Sequence, residues 1–171
     1  YNNVFGTQGL LVFYFSDLMG DHQFSLAMES QISLTNADYF LNYAYLKHRM
    51  NYYFTLFHQA DFFFAGYSAT EMGLVAETTA RMRHFGFAAV ASRPFNRFHR
   101  IDAGLVFHNL DYKLFQIDPY LMENKILQDD GFVATNPTLS YIYDNAVNGY
   151  TGPIDGFRQN TTLELSPALG D

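Results

Sequence analysis

The amino-acid sequence predicts an all-β chain, an antiparallel up-and-down transmembrane β-barrel with about eight strands present. Three observations lead there. Apolar and polar residues alternate with a period of two along most of the chain, which stands one class of side chain on each face of a strand. The composition is aromatic and charge-poor, with 18 phenylalanines and 13 tyrosines in 171 residues and only 16% charged. The alternating runs are longer than the usual strand of about five to six residues.

The segment His22–Gln31 sets Phe24, Leu26 and Met28 on one parity against Gln23, Ser25, Ala27, Glu29 and Gln31. Residues 38–46 carry Tyr39, Leu41, Tyr43 and Tyr45 on one parity, while Phe40, Ala44 and Leu46 leave Asn42 as the main polar residue of the other. In 98–111, Ile101, Ala103, Leu105 and Phe107 oppose Arg100, Asp102, Gly104, Val106 and His108. Leu139, Tyr141 and Tyr143 alternate with Thr138, Ser140 and Asp144, and in 157–166 Phe157, Thr161, Leu163 and Leu165 alternate with Arg158, Asn160, Thr162, Glu164 and Ser166. A helix would not keep this beat. The one rival helical reading is 69–82, where Glu71, Ala76, Glu77 and Ala80 are acceptable helix formers.

Connections are expected at 16–21, 34–37, 47–50, 60–75, 94–97, 112–130 and 145–156. The strands between them come to roughly 7 to 16 residues, several reaching the ~9–11 that a tilted strand needs to cross a bilayer. Counted from the first, the odd connections are mostly short and two even ones long, as in outer-membrane barrels; the last is an exception. Alternation does not say which face meets what. A soluble sandwich would bury the aromatic parity in a shared core, whereas a membrane barrel turns it to lipid and lines its interior with the polar parity. Strand length favours the barrel, as do the rings near strand ends (Tyr39, Tyr45, Tyr52, Tyr53, Tyr141, Tyr143) and charges confined to turns and one parity. The absence of Trp counts against it.

Several classes are excluded. Ten basic against seventeen acidic residues, net −7, argue against a nucleic-acid partner. No cysteine means no disulfide, thiolate metal site or cysteine nucleophile. No window approaches the ~18 apolar residues of a membrane-crossing helix. The chain opens at Tyr1 with neither an initiator Met nor a signal sequence, so any leader is removed or lies outside it.

The candidate residues carry structure more readily than chemistry. Asp17 with Gly20, and Asp144 with Pro153 and Gly156, have the residue types of tight connections. Arg100 and Asp102 share a parity, as do Arg158 and Glu164, so all four charges are expected to face the polar interior, as a steering surface or a mutually neutralising ladder. His22, His48, His58, His84, His99 and His108 show neither a His-x-x-x-His nor a His-Glu-x-x-His spacing, so no metal, cofactor or catalytic residue is assigned. His22 and Ser25, three apart in a strand, fall on opposite faces. Asn160-Thr161-Thr162 matches a glycosylation sequon but lies in a strand.

Two stretches resemble a known family. Phe15-Ser-Asp-Leu-Met-Gly-Asp-His22 before an alternating strand is similar to a turn of BamA/TamA-type outer-membrane barrels, of the kind fused behind TolB-like propeller repeats. Tyr141-Ile-Tyr-Asp-Asn145 followed by Gly152-Pro-Ile-Asp-Gly-Phe-Arg158 resembles that family's aspartate-ending strand, Pro-x-x-Gly turn and next strand, and Arg93-Pro-Phe-Asn-Arg-Phe98 fits as a further turn. The resemblance implies a sixteen-stranded barrel of the bacterial outer membrane that inserts or translocates polypeptides and is not an enzyme. Its implied partners are outer-membrane lipid, further barrel strands or partner subunits, and client polypeptide. Residues 1–171 are then a single, partial barrel domain. The alternatives are a small closed barrel of about eight strands acting as pore, adhesin or lipid-modifying enzyme, and a soluble β-sandwich or lipocalin-like ligand binder.

Overall fold

In a computed structural model of the chain, the described residues are 8–31, 37–69, 73, 75–117, 124–148 and 153–167. Ten strands are present among them: β1 (Gln8–Ser16), β2 (His22–Gln31), β3 (Asp38–Tyr45), β4 (Asn51–Ala69), β5 (Val75–Pro94), β6 (His99–Ile117), β7 (Asn124–Asp144), β8 (Val147–Asn148), β9 (Pro153–Asp155) and β10 (Arg158–Glu164). Eight form one sheet in the order β1-β2-β3-β4-β5-β6-β7-β10, every neighbouring pair antiparallel, and β8 pairs with β9 in a separate ribbon. The sheet is not closed: β1 and β10 pair with no strand on their outer side among the described residues.

Short turns hold the register at one end. Asp17 and His22 close the β1–β2 turn through the Asp17 amide, which donates to the His22 carbonyl at 3.1 Å, while the His22 amide donates to Asp17 Oδ1 at 3.1 Å. Gly20 completes this turn at φ 72°, a backbone region that a Cβ makes costly. Between β5 and β6, Asn96 Oδ1 accepts from the amides of Phe98 and His99 at 2.8 and 2.9 Å.

The other end differs from the sequence expectation. Residues 60–75 and 112–130, expected to be connections, are largely strand: β4 runs to Ala69, β5 starts at Val75, β6 runs to Ile117 and β7 starts at Asn124. The asymmetry therefore lies in hairpins that project as paired strand. The 62–64 run is apolar on both parities and Asp129 and Asp130 look like loop residues, so neither stretch alternates. Pairing survives because bulges between Phe64 and Gly66 and between Leu114 and Phe115 absorb the mismatch, and because Lys113 reaches Asp129 on the neighbouring strand. The helical alternative over 69–82 is overturned in the same place, since 75–82 belong to β5 and pair with β4, and 77–82 pair with β6 as well. The 145–156 connection also holds more than a turn, because β8 and β9 pair within it.

Pro137 lies inside β7 opposite Leu105. Its carbonyl accepts from the Leu165 amide, just past the end of β10, so its missing N–H falls where β10 runs out and not on the β6 side. The edge strand β1 is apolar on both parities, Leu10, Val12 and Tyr14 on one and Leu11, Phe13 and Phe15 on the other. Among the described residues no helix is long and apolar enough to cross a membrane.

There is no second layer among the described residues. Among the described residues no large side chain is fully buried, and the buried apolar residues are the alanines Ala37, Ala60, Ala76, Ala80 and Ala134. Gly86 permits the closest approach within the sheet, because a Cβ there would lie 2.0 Å from the Phe107 carbonyl oxygen. Gly86→Ala should therefore destabilise the fold by more than about 2 kcal/mol in a urea titration, whereas Gly9→Ala, with open space around it, should stay within about 0.5 kcal/mol.

Candidate functional site: two faces of one sheet

Cross-strand partners share a face, so the register assigns every side chain of the sheet. One face carries a continuous apolar band. Phe13, Leu26, Leu41, Leu56, Phe87 and Phe107 form one row across six strands, each opposite the next. Phe15, Phe24, Tyr43, Phe54, Ala89 and Leu105 form the row beside it. These groups are not packed away: Phe87 is 41% exposed, Leu56 50%, Leu139 52% and Leu163 60%.

Polar chemistry closes the band at both ends. Toward the projecting hairpins comes the row Tyr39, His58, Phe85, Asn109, in which His58 stacks on Tyr39 at 5.0 Å and its Nδ1 lies 2.7 Å from the Ala37 carbonyl oxygen. Past it the same face turns ionic. Arg83 Nε donates to Asp111 at 2.8 Å, Arg81 lies 3.7 Å from the same carboxylate and over the Phe115 ring, and Lys113 pairs with Asp129. At the short-turn end two like clusters bound the band. His22 Nδ1 is 2.8 Å from the Tyr43 hydroxyl and its ring packs on Tyr45 at 4.9 Å. His99 Nδ1 is 2.6 Å from the Tyr141 hydroxyl and its ring packs on Tyr143 at 4.6 Å.

The opposite face is polar or small along most of its rows. Asn51, Ser92, Asp102, Ser140 and Thr162 form one row, and Ser25, Asn42, Thr55 and Ala88 another. Thr55 donates to Asn42 Oδ1 at 2.8 Å, and Asn42 donates to Ser25 at 3.3 Å. Near the projecting end Gln116 donates to Ser68 at 2.8 Å, and Ser68 meets Thr78 at 2.7 Å. This face is the more shielded of the two, with Ala76, Thr78, Ala80, Ser92, Gln116 and Ala134 all buried.

All four charges singled out from the sequence lie on this polar face. Arg100 Nε is 3.3 Å from Asp102, which also accepts from Ser92. Arg158 pairs with Asp144 on β7 through Nε at 2.7 Å, and Glu164 accepts from Asn136 at 2.8 Å, so Arg158 and Glu164 engage separate partners. Of the turn residues, Asp17 and Gly20 make the β1–β2 turn. Gly156, at φ 96°, sits where a Cβ would lie 2.4 Å from the Asn145 carbonyl oxygen. Pro153 is the first residue of β9, opposite Asn148.

The sequence reading picked Tyr45, Tyr141 and Tyr143 as strand-end rings but not their histidines. The signal was present as Tyr-x-Tyr at one parity, repeated, and a histidine opening the preceding or partner strand. Tyr53, picked with them, lies on the polar face. The His84–His108 contact, Nε2 to Nδ1 at 2.8 Å on the polar face, was also missed, since only the β5–β6 register joins residues so far apart. Among the described residues no group of three or more His, Asp and Glu could hold a metal ion.

No protein-family model matches the chain, and neither a search of curated proteins nor one of solved structures finds a match.

Asp144 ends β7 at the short-turn end, beyond the aromatic clusters. The Arg158 guanidinium and the Ala146 amide hold its carboxyl below the usual carboxylate range. A depressed folded-state value gives stabilisation that is present above the unfolded value of about 4 and lost as pH falls through the folded one. The protection of β10 amides, relative to their intrinsic exchange rate at each pH, should therefore fall on acidification below about pH 4, and Asp144→Asn should remove that acid limb.

Proposed function

We propose that this sheet is a wall of a transmembrane β-barrel in the bacterial outer membrane, with the apolar face against acyl chains and the polar face lining an aqueous lumen. The observation that carries the reading is the apolar band itself: rows of Phe, Leu and Tyr, exposed and without a covering layer, bounded by aromatic clusters on one side and ion pairs on the other. In water such a face would be a large uncovered apolar patch. In a bilayer it is the outer surface that a barrel needs, with rings at headgroup level and charges beyond them. Along β6 the band runs from Ile101 to Phe107 with His99 and Asn109 at its borders, close to the ~9–11 residues of a tilted crossing. The remainder of β4 to β7 would stand clear of the hydrocarbon.

Two unpaired edges in lipid would leave backbone groups unsatisfied at several kcal/mol each. The wall is therefore completed by further strands or a partner subunit, and a sixteen-stranded barrel is the size that the BamA/TamA resemblance supplies. From that resemblance also comes the proposed role, a membrane-embedded scaffold for insertion or translocation of client polypeptide, without catalysis. A second reading has one observation in its favour: β1 and β10 stand at the two ends of an eight-strand meander and so run antiparallel, which allows closure on themselves as a small barrel.

The chain has no cysteine, so single-cysteine labelling is clean. In outer-membrane vesicles Leu56→Cys and Phe87→Cys should resist a water-soluble maleimide, while Thr55→Cys and Ala88→Cys should react. Leu56→Arg should cost about 2–4 kcal/mol in lipid and Thr55→Arg less than about 1. A monodisperse soluble monomer without detergent, or equal labelling at all four positions, would overturn the membrane reading. A disulfide between cysteines placed in β1 and β10, formed within one chain, would favour the small closed barrel.

A further inference from the structure

The two histidine–tyrosine clusters at the short-turn end are alike in construction. Each has a histidine opening a strand just after a short turn, its Nδ1 at hydrogen-bonding distance from one tyrosine hydroxyl and its ring packed on a second tyrosine two residues further along. A phenol is a stronger acid than a neutral imidazole, so the tyrosine O–H donates to Nδ1. That places the imidazole proton on Nε2, for which the described residues supply no acceptor.

Each cluster also adjoins an unpaired basic turn. Tyr45 is followed by 46–50, which contains Lys47 and Arg49, and His99 is preceded by the β5–β6 turn with Arg97 within it and Arg93 near the end of β5 just before it. Arg93 shares the apolar face with Ile101 and Tyr141. All four cations are exposed and none has an ion pair among the described residues, Arg97 lying over the Phe98 ring at 4.6 Å, whereas Arg81, Arg83, Arg100, Lys113 and Arg158 are each paired with an aspartate. Cations left open at the border of an apolar band, beside N–H groups lacking an acceptor, present an anion site level with the headgroups.

We infer that the His22–Tyr43–Tyr45 and His99–Tyr141–Tyr143 clusters, with Lys47, Arg49, Arg93 and Arg97, bind the phosphate of anionic phospholipids in the leaflet that meets the short turns. The inference rests on the membrane reading and adds a lipid class to it. The imidazole Nε2–H donates to a phosphate oxygen, the neighbouring cations supply charge, and the second tyrosine carries the glycerol region on its ring. The repeated cluster provides two subsites on one wall.

The test uses the protein reconstituted in bilayers with spin-labelled lipids, comparing phosphatidylglycerol with an uncharged galactolipid of the same chains. An open cation near the surface contributes about fivefold. The wild type should restrict phosphatidylglycerol preferentially, the Arg93→Gln/Arg97→Gln variant should weaken that preference by up to about 25-fold at its subsite, and Tyr141→Phe with His99→Phe should lower it further. Arg83→Gln, whose side chain is committed to Asp111 at the opposite end, should leave it unchanged. Equal restriction of both lipids, or a preference undiminished by Arg93→Gln/Arg97→Gln, with the cysteine pattern still showing Leu56 in lipid, would overturn the headgroup assignment and spare the membrane wall. Failure of that cysteine pattern would overturn both.

Discussion

Register between neighbouring strands is the constraint on which everything else in this molecule depends. Side chains alternate with a period of two, so a slip of one residue at any pairing would exchange the faces of every strand beyond it. The apolar band exists because five successive pairings across six strands, from Phe13 opposite Leu26 to Phe87 opposite Phe107, keep the same parity. Local devices defend it at one end: the Asp17–His22 closure and the Asn96 bridge each fix how two strands leave a turn. Cross-strand polar contacts such as Thr55 to Asn42 to Ser25 do the same on the opposite face, since a slip would set each polar group against an apolar partner.

The long hairpins follow a different logic. Past the Tyr39–His58–Phe85 row the apolar face becomes ionic, and Arg83 with Asp111 and Lys113 with Asp129 replace hydrocarbon with charge. Such pairs contribute modestly to stability where water reaches them. Their weight lies in composition: a face bearing two arginines, a lysine and two aspartates is matched to water and not to acyl chains. Under the proposed membrane reading, one strand would pass through two environments without leaving the sheet.

Much of the sheet was legible in the sequence where the alternation is strict. Phe24, Leu26 and Met28, Ile101 to Phe107, and Leu139 to Tyr143 all share the apolar face, and Arg100, Asp102, Arg158 and Glu164 the other. The hairpin ends were not legible, for a physical reason. Bulges at Phe64/Gly66 and Leu114/Phe115 insert a residue and reverse the parity, so a period-two reading breaks off where the ladder continues. The histidine clusters were hidden because their partners meet through pairing between strands, which spacing along the chain does not disclose. His22 to Tyr43 and His99 to Tyr141 became neighbours only once register was known.

The first strand of the sheet obeys a looser rule than the rest. Leu10, Val12 and Tyr14 are as greasy as Leu11, Phe13 and Phe15, so inverting this ribbon would swap one oily surface for another at small cost. Elsewhere a shift by one position would trade serine or asparagine for a ring on the same face. The sheet thus has a forgiving hem along one flank, whose register is fixed less by facing than that of the interior strands.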